Sequence, residues 1–135
     1  MTSWPIEGDV HDQLEWKMAD SIANLLRESC GEMQLPRTKE WLAAILAEQA
    51  DKLPQAIEQG RHSPFIAEYV LSLDACSNAL VIAGYCLRFM REEGLIDRVM
   101  ATGVEERLQE AELFFNSRTE YLRSTKHEWA AQESS

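Results

Sequence analysis

Apolar residues recur at steps of three or four along most of this chain, which is the spacing of one helix face. The first segment predicts a helix over about residues 10–30, with Asp9 as its N-cap and Gly31 at its end. A second helix is predicted from about Thr38, and Pro54 is expected to kink it or to begin a new short helix ending at Gly60. The apolar positions behind these two helices are Val10, Leu14, Met18, Ile22, Leu25, Leu26, Leu42, Ile45, Leu46, Ala50 and Leu53.

Ser63 and Pro64 form a typical helix start, and no strong breaker follows before Gly94. The pattern therefore predicts one long helix over about residues 64–93, roughly 45 Å at 1.5 Å per residue. A break near Asp74 is the alternative.

Residues 94–103 predict a short helix between two glycines. Thr102 and Glu105 have the capping-box spacing, which predicts the start of the last helix. We expect residues 1–8 to form an irregular arm and residues 130–135 to fray. No segment alternates as a strand would. The expected fold is all-α, a single-domain irregular bundle over residues 1–135 with four main helices and one or two short ones.

The segment LDACSNALVIAGYCL, residues 73–87, is the most apolar in the chain, yet it contains Asp74 and Asn78. A helical wheel assigns one broad face, which includes Leu73, Leu80 and Leu87, to the core. The same wheel shows a second face, on which polar residues lie between apolar neighbours. Its residues are Leu71, Asp74, Asn78, Ile82, Tyr85 and Phe89. Either this face is covered and its polar groups bond to other helices, or it is partly open and binds a protein, including a second copy of the chain. Catalysis by Asp74 is disfavoured, because no His or Lys lies at a helical spacing from it.

Charge separates the chain into unlike parts. The whole sequence carries −10, with 23 acidic and 13 basic residues. Residues 1–60 hold 11 acids and 5 bases, residues 61–103 hold 5 and 4, and residues 104–135 hold 7 and 4. Such a chain should be repelled by nucleic acid and by anionic membranes and attracted to a basic protein surface. The simpler explanation of the negative charge is that it keeps the protein soluble.

Two clusters carry many of the acids and form the predicted acidic surface: Asp9, Asp12, Glu15, Glu105, Glu106, Glu110 and Glu112. The acids of residues 9–15 lie at a predicted helix start, where negative charge is favourable. The acids of residues 105–112 indicate either a solvated helix face or a surface that binds a basic groove.

Nucleophilic or metal chemistry has little support in the pattern. His62 and His127 are isolated, and no phosphate loop, nucleophile elbow or zinc motif is present. Acidic pairs at i, i+3, Asp12/Glu15 and Glu48/Asp51, are similar to those of all-helical nucleotide pyrophosphatases that bind magnesium. The first pair differs by having Asp where those enzymes have Glu. A magnesium-dependent nucleotide hydrolase is thus an alternative, and we expect no cofactor.

Three cysteines, Cys30, Cys76 and Cys86, match no redox or zinc spacing and predict buried thiols in a reducing cytoplasm. The N-terminal residues do not resemble a signal peptide, and the 13 uncharged residues 75–87 are too few to span a bilayer. The function expected is a cytoplasmic, non-catalytic protein-binding module. Toxin-immunity and phage anti-defence proteins share its size and acidity, which suggests an inhibitor or regulator of a basic, nucleic-acid-handling protein. A structural homodimer formed through the 64–93 helix is the alternative binding hypothesis.

Overall fold

Four α-helices account for nearly all of the part that the structure, a computed structural model, describes: residues 13–63 and 65–134, with side chains as far as Ser124. They are α1 (Leu14–Glu32), α2 (Glu40–His62), α3 (Ile66–Glu92) and α4 (Arg98–Ser134). One 3-10 turn, Arg37–Lys39, precedes α2. These residues contain no strand, and the predicted all-α bundle is confirmed.

Consecutive helices run antiparallel because short connections join them. Trp16 at the start of α1 donates to Glu58 near the end of α2, at 3.1 Å. In the same way, Arg91 at the end of α3 reaches Glu105 near the start of α4, at 2.9 Å. Buried side chains from all four helices form one apolar cluster. α3 packs against α2 on one side and α4 on the other.

The long third helix is unbroken from Ile66 to Glu92, so the alternative of a break at Asp74 is wrong. Asp74 does not disturb the core, because its carboxylate lies on the outside and accepts from Arg123 of α4 at 2.8 Å. The helix begins two residues later than predicted. Phe65 is its N-cap, and the backbone N–H of Phe65 donates to the Ser63 hydroxyl at 3.1 Å. Pro64 lies outside the described residues.

Pro54 does not end α2, and the separate short helix predicted after it is wrong. A proline inside a helix costs about 3 kcal/mol or more. Burying a Leu or Ile side chain stabilises the fold by about 1.5–3 kcal/mol. Both Leu53 and Ile57 are fully buried. The apolar stripe therefore continues through the proline and keeps the segment helical.

The start of the last helix was also predicted wrongly, since α4 begins at Arg98 and continues through Gly103. Its cap is Asp97, whose carboxylate accepts from the backbone N–H of Met100 at 2.9 Å. Thr102 and Glu105 therefore lie inside the helix. A glycine inside a helix costs about 1 kcal/mol. Ala101, Val104 and Leu108, on either side of Gly103, are buried. Their burial stabilises the helix by more than the glycine costs.

Gly94 separates α3 from α4 and adopts φ 68°, a left-handed conformation suited to glycine. The Gly94 N–H donates to the Arg91 carbonyl at 3.1 Å, and the Leu95 N–H donates to the Met90 carbonyl at 2.8 Å. This pair of bonds is the Schellman motif. Leu95 packs against the core and Met90 is buried in it, which fixes the turn between the two helices.

At the chain ends, two predicted boundaries change. α1 begins at Leu14, after Gln13 in an extended conformation, and not at residue 10. The backbone of residues 130–134, predicted to fray, belongs to α4, where AAQES contains no strong helix breaker. Asp9, its predicted cap role and the arm of residues 1–8 lie outside the described residues.

Candidate protein-docking surfaces

The mixed face of α3 lies on the outside of the bundle. Its four large apolar side chains are between 40% and 65% exposed. Asn78 is exposed and Asp74 is half-buried. The interpretation in which other helices cover α3 on every side is therefore wrong. We call this surface the α3 stripe, and its residues are Leu71, Asp74, Asn78, Ile82, Tyr85 and Phe89.

Two grooves run between the α3 stripe and α4. The larger, about 340 Å³, is bordered by Tyr85 and Arg88 of α3 and by Glu105 and Glu112 of α4. The smaller, about 220 Å³, is mostly apolar and is bordered by Val70 and Leu71 of α3 and by Leu122 of α4. Both grooves are open to solvent. The larger groove is lined mainly by polar atoms. The smaller groove combines an apolar floor with a charged edge at Arg123, which is typical of protein contact surfaces.

Glu15 is not part of an acidic surface, because it is only 2% exposed. Its carboxylate accepts from the guanidinium of Arg118 on α4 at 2.5 Å. Tyr69 of α3 is buried nearby, and desolvation together with the Glu15 charge raises the pKa of its hydroxyl. The carboxylate that the sequence assigned to the helix start is thus a structural link between α1 and α4.

The acids of the 105–112 cluster divide between two environments. Glu105 is largely buried and receives two hydrogen bonds from Arg91, so it is not offered to solvent. Glu112 is half-buried beside α3, whereas Glu106 and Glu110 are exposed. Asp9 and Asp12 lie outside the described residues. Two of the five described acids in this predicted surface, Glu15 and Glu105, therefore do not serve it.

Further exposed residues complete the outer side of α4, and the sequence interpretation missed them. Leu113, 68% exposed, lies one turn beyond Glu110, and Glu120 follows two turns later. Steps of four, three and seven residues place all of them on one side of the helix. This surface, the α4 acidic face, consists of Glu106, Glu110, Leu113 and Glu120. Continuing the helical spacing past Glu110 was the signal that could have found it.

The magnesium alternative requires the acidic pairs of α1 and α2 to converge, and they do not converge in the part of the chain that the structure describes. No three His, Cys, Asp or Glu side chains there are close enough to hold one ion. Glu15 pairs with Arg118, Glu48 with Lys52 at 3.3 Å, and Asp51 with Arg27 at 2.9 Å. Asp12 lies outside that part.

All three thiols are free, and each donates to a backbone carbonyl of α2, Cys30 to that of Ala43 at 3.6 Å. Cys76 donates to the Leu53 carbonyl at 3.5 Å, and Cys86 donates to the Leu42 carbonyl at 3.4 Å. Burial raises the pKa of Cys76 to about 12, and burial together with Cys30 raises the pKa of Cys86 to about 11. Because the thiolate is the reactive form, burial disfavours reaction at Cys76 and Cys86. Cys30 is only half-buried.

By length and composition alone, α3 could cross a membrane, since its most apolar window has a mean hydropathy of 1.6. Residues 75–87 alone are too few to span a bilayer, whereas the complete helix has 27 residues. The core helix of a water-soluble protein passes the same test, and 44% of that window is buried inside the bundle.

No family model, curated protein or solved structure matched the chain in the comparisons made with each. The surfaces themselves therefore carry the functional argument.

Proposed function

We propose that this protein is a non-catalytic binding module, a small acidic inhibitor or regulator that docks on a basic protein surface. The observation that carries the proposal is the α4 acidic face. There, exposed carboxylates surround a leucine that is 68% exposed. From Glu106 to Glu120 this face extends about 21 Å, which is long enough to follow a groove on a partner.

Charge supports a basic partner. The chain carries −10 at neutral pH, and a field of that sign attracts a basic surface and accelerates encounter. An exposed apolar side chain among the carboxylates supplies binding energy that charge alone does not provide. Most of the binding energy of an interface comes from a few apolar side chains that lose water on contact. Leu113 is such an anchor in our proposal.

The partner class follows from the same chemistry. Proteins that handle nucleic acids carry basic grooves for phosphates, and a row of carboxylates can occupy such a groove. Small acidic immunity and anti-defence proteins act in the cytoplasm in this general way. This part of the proposal is an analogy of class, not of sequence.

The proposal is tested by affinity capture from the host lysate, followed by measurement of binding to the purified partner. The test variant is Glu106→Lys/Glu110→Lys. The matched control is Glu28→Lys/Glu32→Lys, which makes the same change of charge at the same i, i+4 spacing on exposed positions of α1. We expect a basic partner that wild type and the control retain and the test variant loses.

Salt provides a second criterion. Raising the ionic strength from about 0.1 M to about 1 M shortens the screening length from about 10 Å to about 3 Å, so affinity should fall steeply. Loss of the partner by the α1 control as readily as by the α4 variant would contradict the assignment of the surface. Affinity that does not change with salt would contradict the basic-partner proposal.

A further inference from the structure

The α3 stripe has the periodicity of a coiled-coil seam. With Ala75, which is also exposed, its positions follow the spacing 4-3-4-3-4: Leu71, Ala75, Asn78, Ile82, Tyr85 and Phe89. Heptad spacing of this kind allows one helix to pack along another. The seam is about 27 Å long and is exposed throughout its length.

We propose that a second copy of this chain occupies the seam, with the two α3 helices antiparallel about a two-fold axis. The proposal goes beyond the function above, because it uses the α3 stripe and leaves the α4 acidic face free. A two-fold interface requires a surface that is complementary to itself, and the α3 stripe meets that requirement in side-chain size and in charge.

The size pattern is complementary about the midpoint between Asn78 and Ile82. In the antiparallel register Asn78 meets Ile82 of the second copy, and Ala75 meets Tyr85, so the smallest side chain faces the largest. Leu71 meets Phe89. Leu71 also borders the apolar groove of about 220 Å³, and this groove gives the Phe89 ring of the second copy a place to pack. Each contact occurs twice.

The charge pattern reverses about nearly the same midpoint. Asp74 and Arg88 lie seven residues on either side of Val81, on the flank of the seam that faces α4. An antiparallel pair therefore places Asp74 of each copy opposite Arg88 of the other. There, each would join the ion pair that it already makes in its own chain, Asp74 with Arg123 and Arg88 with Glu92. In a parallel pair, Asp74 and Arg88 of opposite copies would stay about 21 Å apart.

Net charge also favours this place for self-association. Residues 61–103 carry 5 acidic and 4 basic residues, whereas residues 1–60 carry 11 and 5. Two copies of an acidic chain repel each other least where the chain is almost neutral. A basic partner, by contrast, gains less electrostatic attraction from this surface than from the α4 acidic face.

Carboxylates mark both ends of the seam. Glu68 and Glu92 continue the spacing beyond Leu71 and Phe89, and in the antiparallel register they would face each other across the two copies. Like charges at facing positions are unfavourable. The contact therefore ends at these residues, and their arrangement makes the direction of the helices testable.

Sedimentation equilibrium of the full chain across the micromolar range tests the proposal. Wild type is expected to show a concentration-dependent mass that reaches that of a dimer. Ile82→Glu, at the centre of the seam, should weaken dimerisation more than tenfold. The control Val99→Glu places the same charge on an 81% exposed residue of α4 and should leave the dimer unchanged. Circular dichroism must show equal helicity for both variants.

Charge variants then test the antiparallel register. Asp74→Arg should weaken the dimer several-fold, and adding Arg88→Asp should restore it. Glu68→Lys should strengthen an antiparallel dimer by facing Glu92, and would not do so in a parallel one.

The proposal is overturned by a wild type that stays monomeric throughout, including one that instead binds neutral phosphatidylcholine vesicles. A dimer whose affinity Ile82→Glu leaves unchanged would also overturn the proposal. So would a dimer whose affinity does not increase with Glu68→Lys.

Discussion

Glu15 of α1 and Arg118 of α4 form an ion pair of 2.5 Å between two helices that contact each other less than the other neighbouring helices do. Glu15 is almost completely buried, while Arg118 remains partly exposed and stacks over the ring of Tyr121 at 5.2 Å. Removing a carboxylate from water is costly unless a partner compensates it. The position of α1 against α4 therefore depends on the guanidinium.

We expect Arg118→Met to reduce the free energy of unfolding by about 3–5 kcal/mol, because it leaves the buried Glu15 carboxylate without its cation. Glu15→Met/Arg118→Met should recover most of that loss, since neither charge then remains. Arg27→Met, which breaks the exposed pair with Asp51, should cost less than about 1 kcal/mol. Urea unfolding of the three variants measures these differences. Equal losses for Arg118→Met and Arg27→Met would show that burial is not the cause.

The long-range character of this pair explains why it could not be predicted. Glu15 and Arg118 are 103 positions apart, and no periodicity connects them. An acid near a helix start has a sufficient local explanation in the helix dipole. Only packing shows that Glu15 points inward.

The helices were predictable to the extent that burial decided them. The core face of α3 follows the 3.6-residue period, so Leu73, Leu80 and Leu87 were placed correctly in the core. The short helix after Pro54 and the boundary at Gly103 were predicted wrongly because a local breaker was given more weight than the apolar stripe around it. The outward position of Asn78 and Tyr85 could be deduced from spacing, but their exposure depends on whether another helix covers them.

Stability should fall as the pH rises above about 9, because burial raises the pKa of Cys76 to about 12 from an unfolded value of about 9. Between these values the folded state holds a proton that the unfolded state releases, so deprotonation favours unfolding. Each such group contributes up to about 1.4 kcal/mol per pH unit. Urea midpoints measured just below pH 9 and near pH 11 should show the loss. Cys76→Ala should reduce it, and an unchanged loss in that variant would exclude this thiol.

Gly60→Ala should destabilise the fold by about 1–3 kcal/mol, the usual cost of overpacking. A Cβ at this position would lie 2.7 Å from the Ser72 Cβ, where α2 and α3 approach closely. Gly103→Ala is the matched control, because a Cβ there meets nothing within 4 Å. It should stabilise α4 by about 0.5–1 kcal/mol. Thermal unfolding of both variants measures the contrast, and a stabilising Gly60→Ala would contradict the close approach.

Asp97→Ala should cost about 1 kcal/mol, because it removes the side-chain acceptor for the Met100 N–H at the start of α4. Thr102→Ala is the informative control. If a helix began at Thr102, as the capping-box spacing predicted, that change would carry the larger cost. In the observed fold Thr102 is an exposed position inside α4, where alanine has the higher helix propensity. Thr102→Ala should therefore leave stability unchanged or raise it slightly. Chemical denaturation of the two variants decides where α4 begins, and a greater loss from Thr102→Ala would move that boundary back to Gly103.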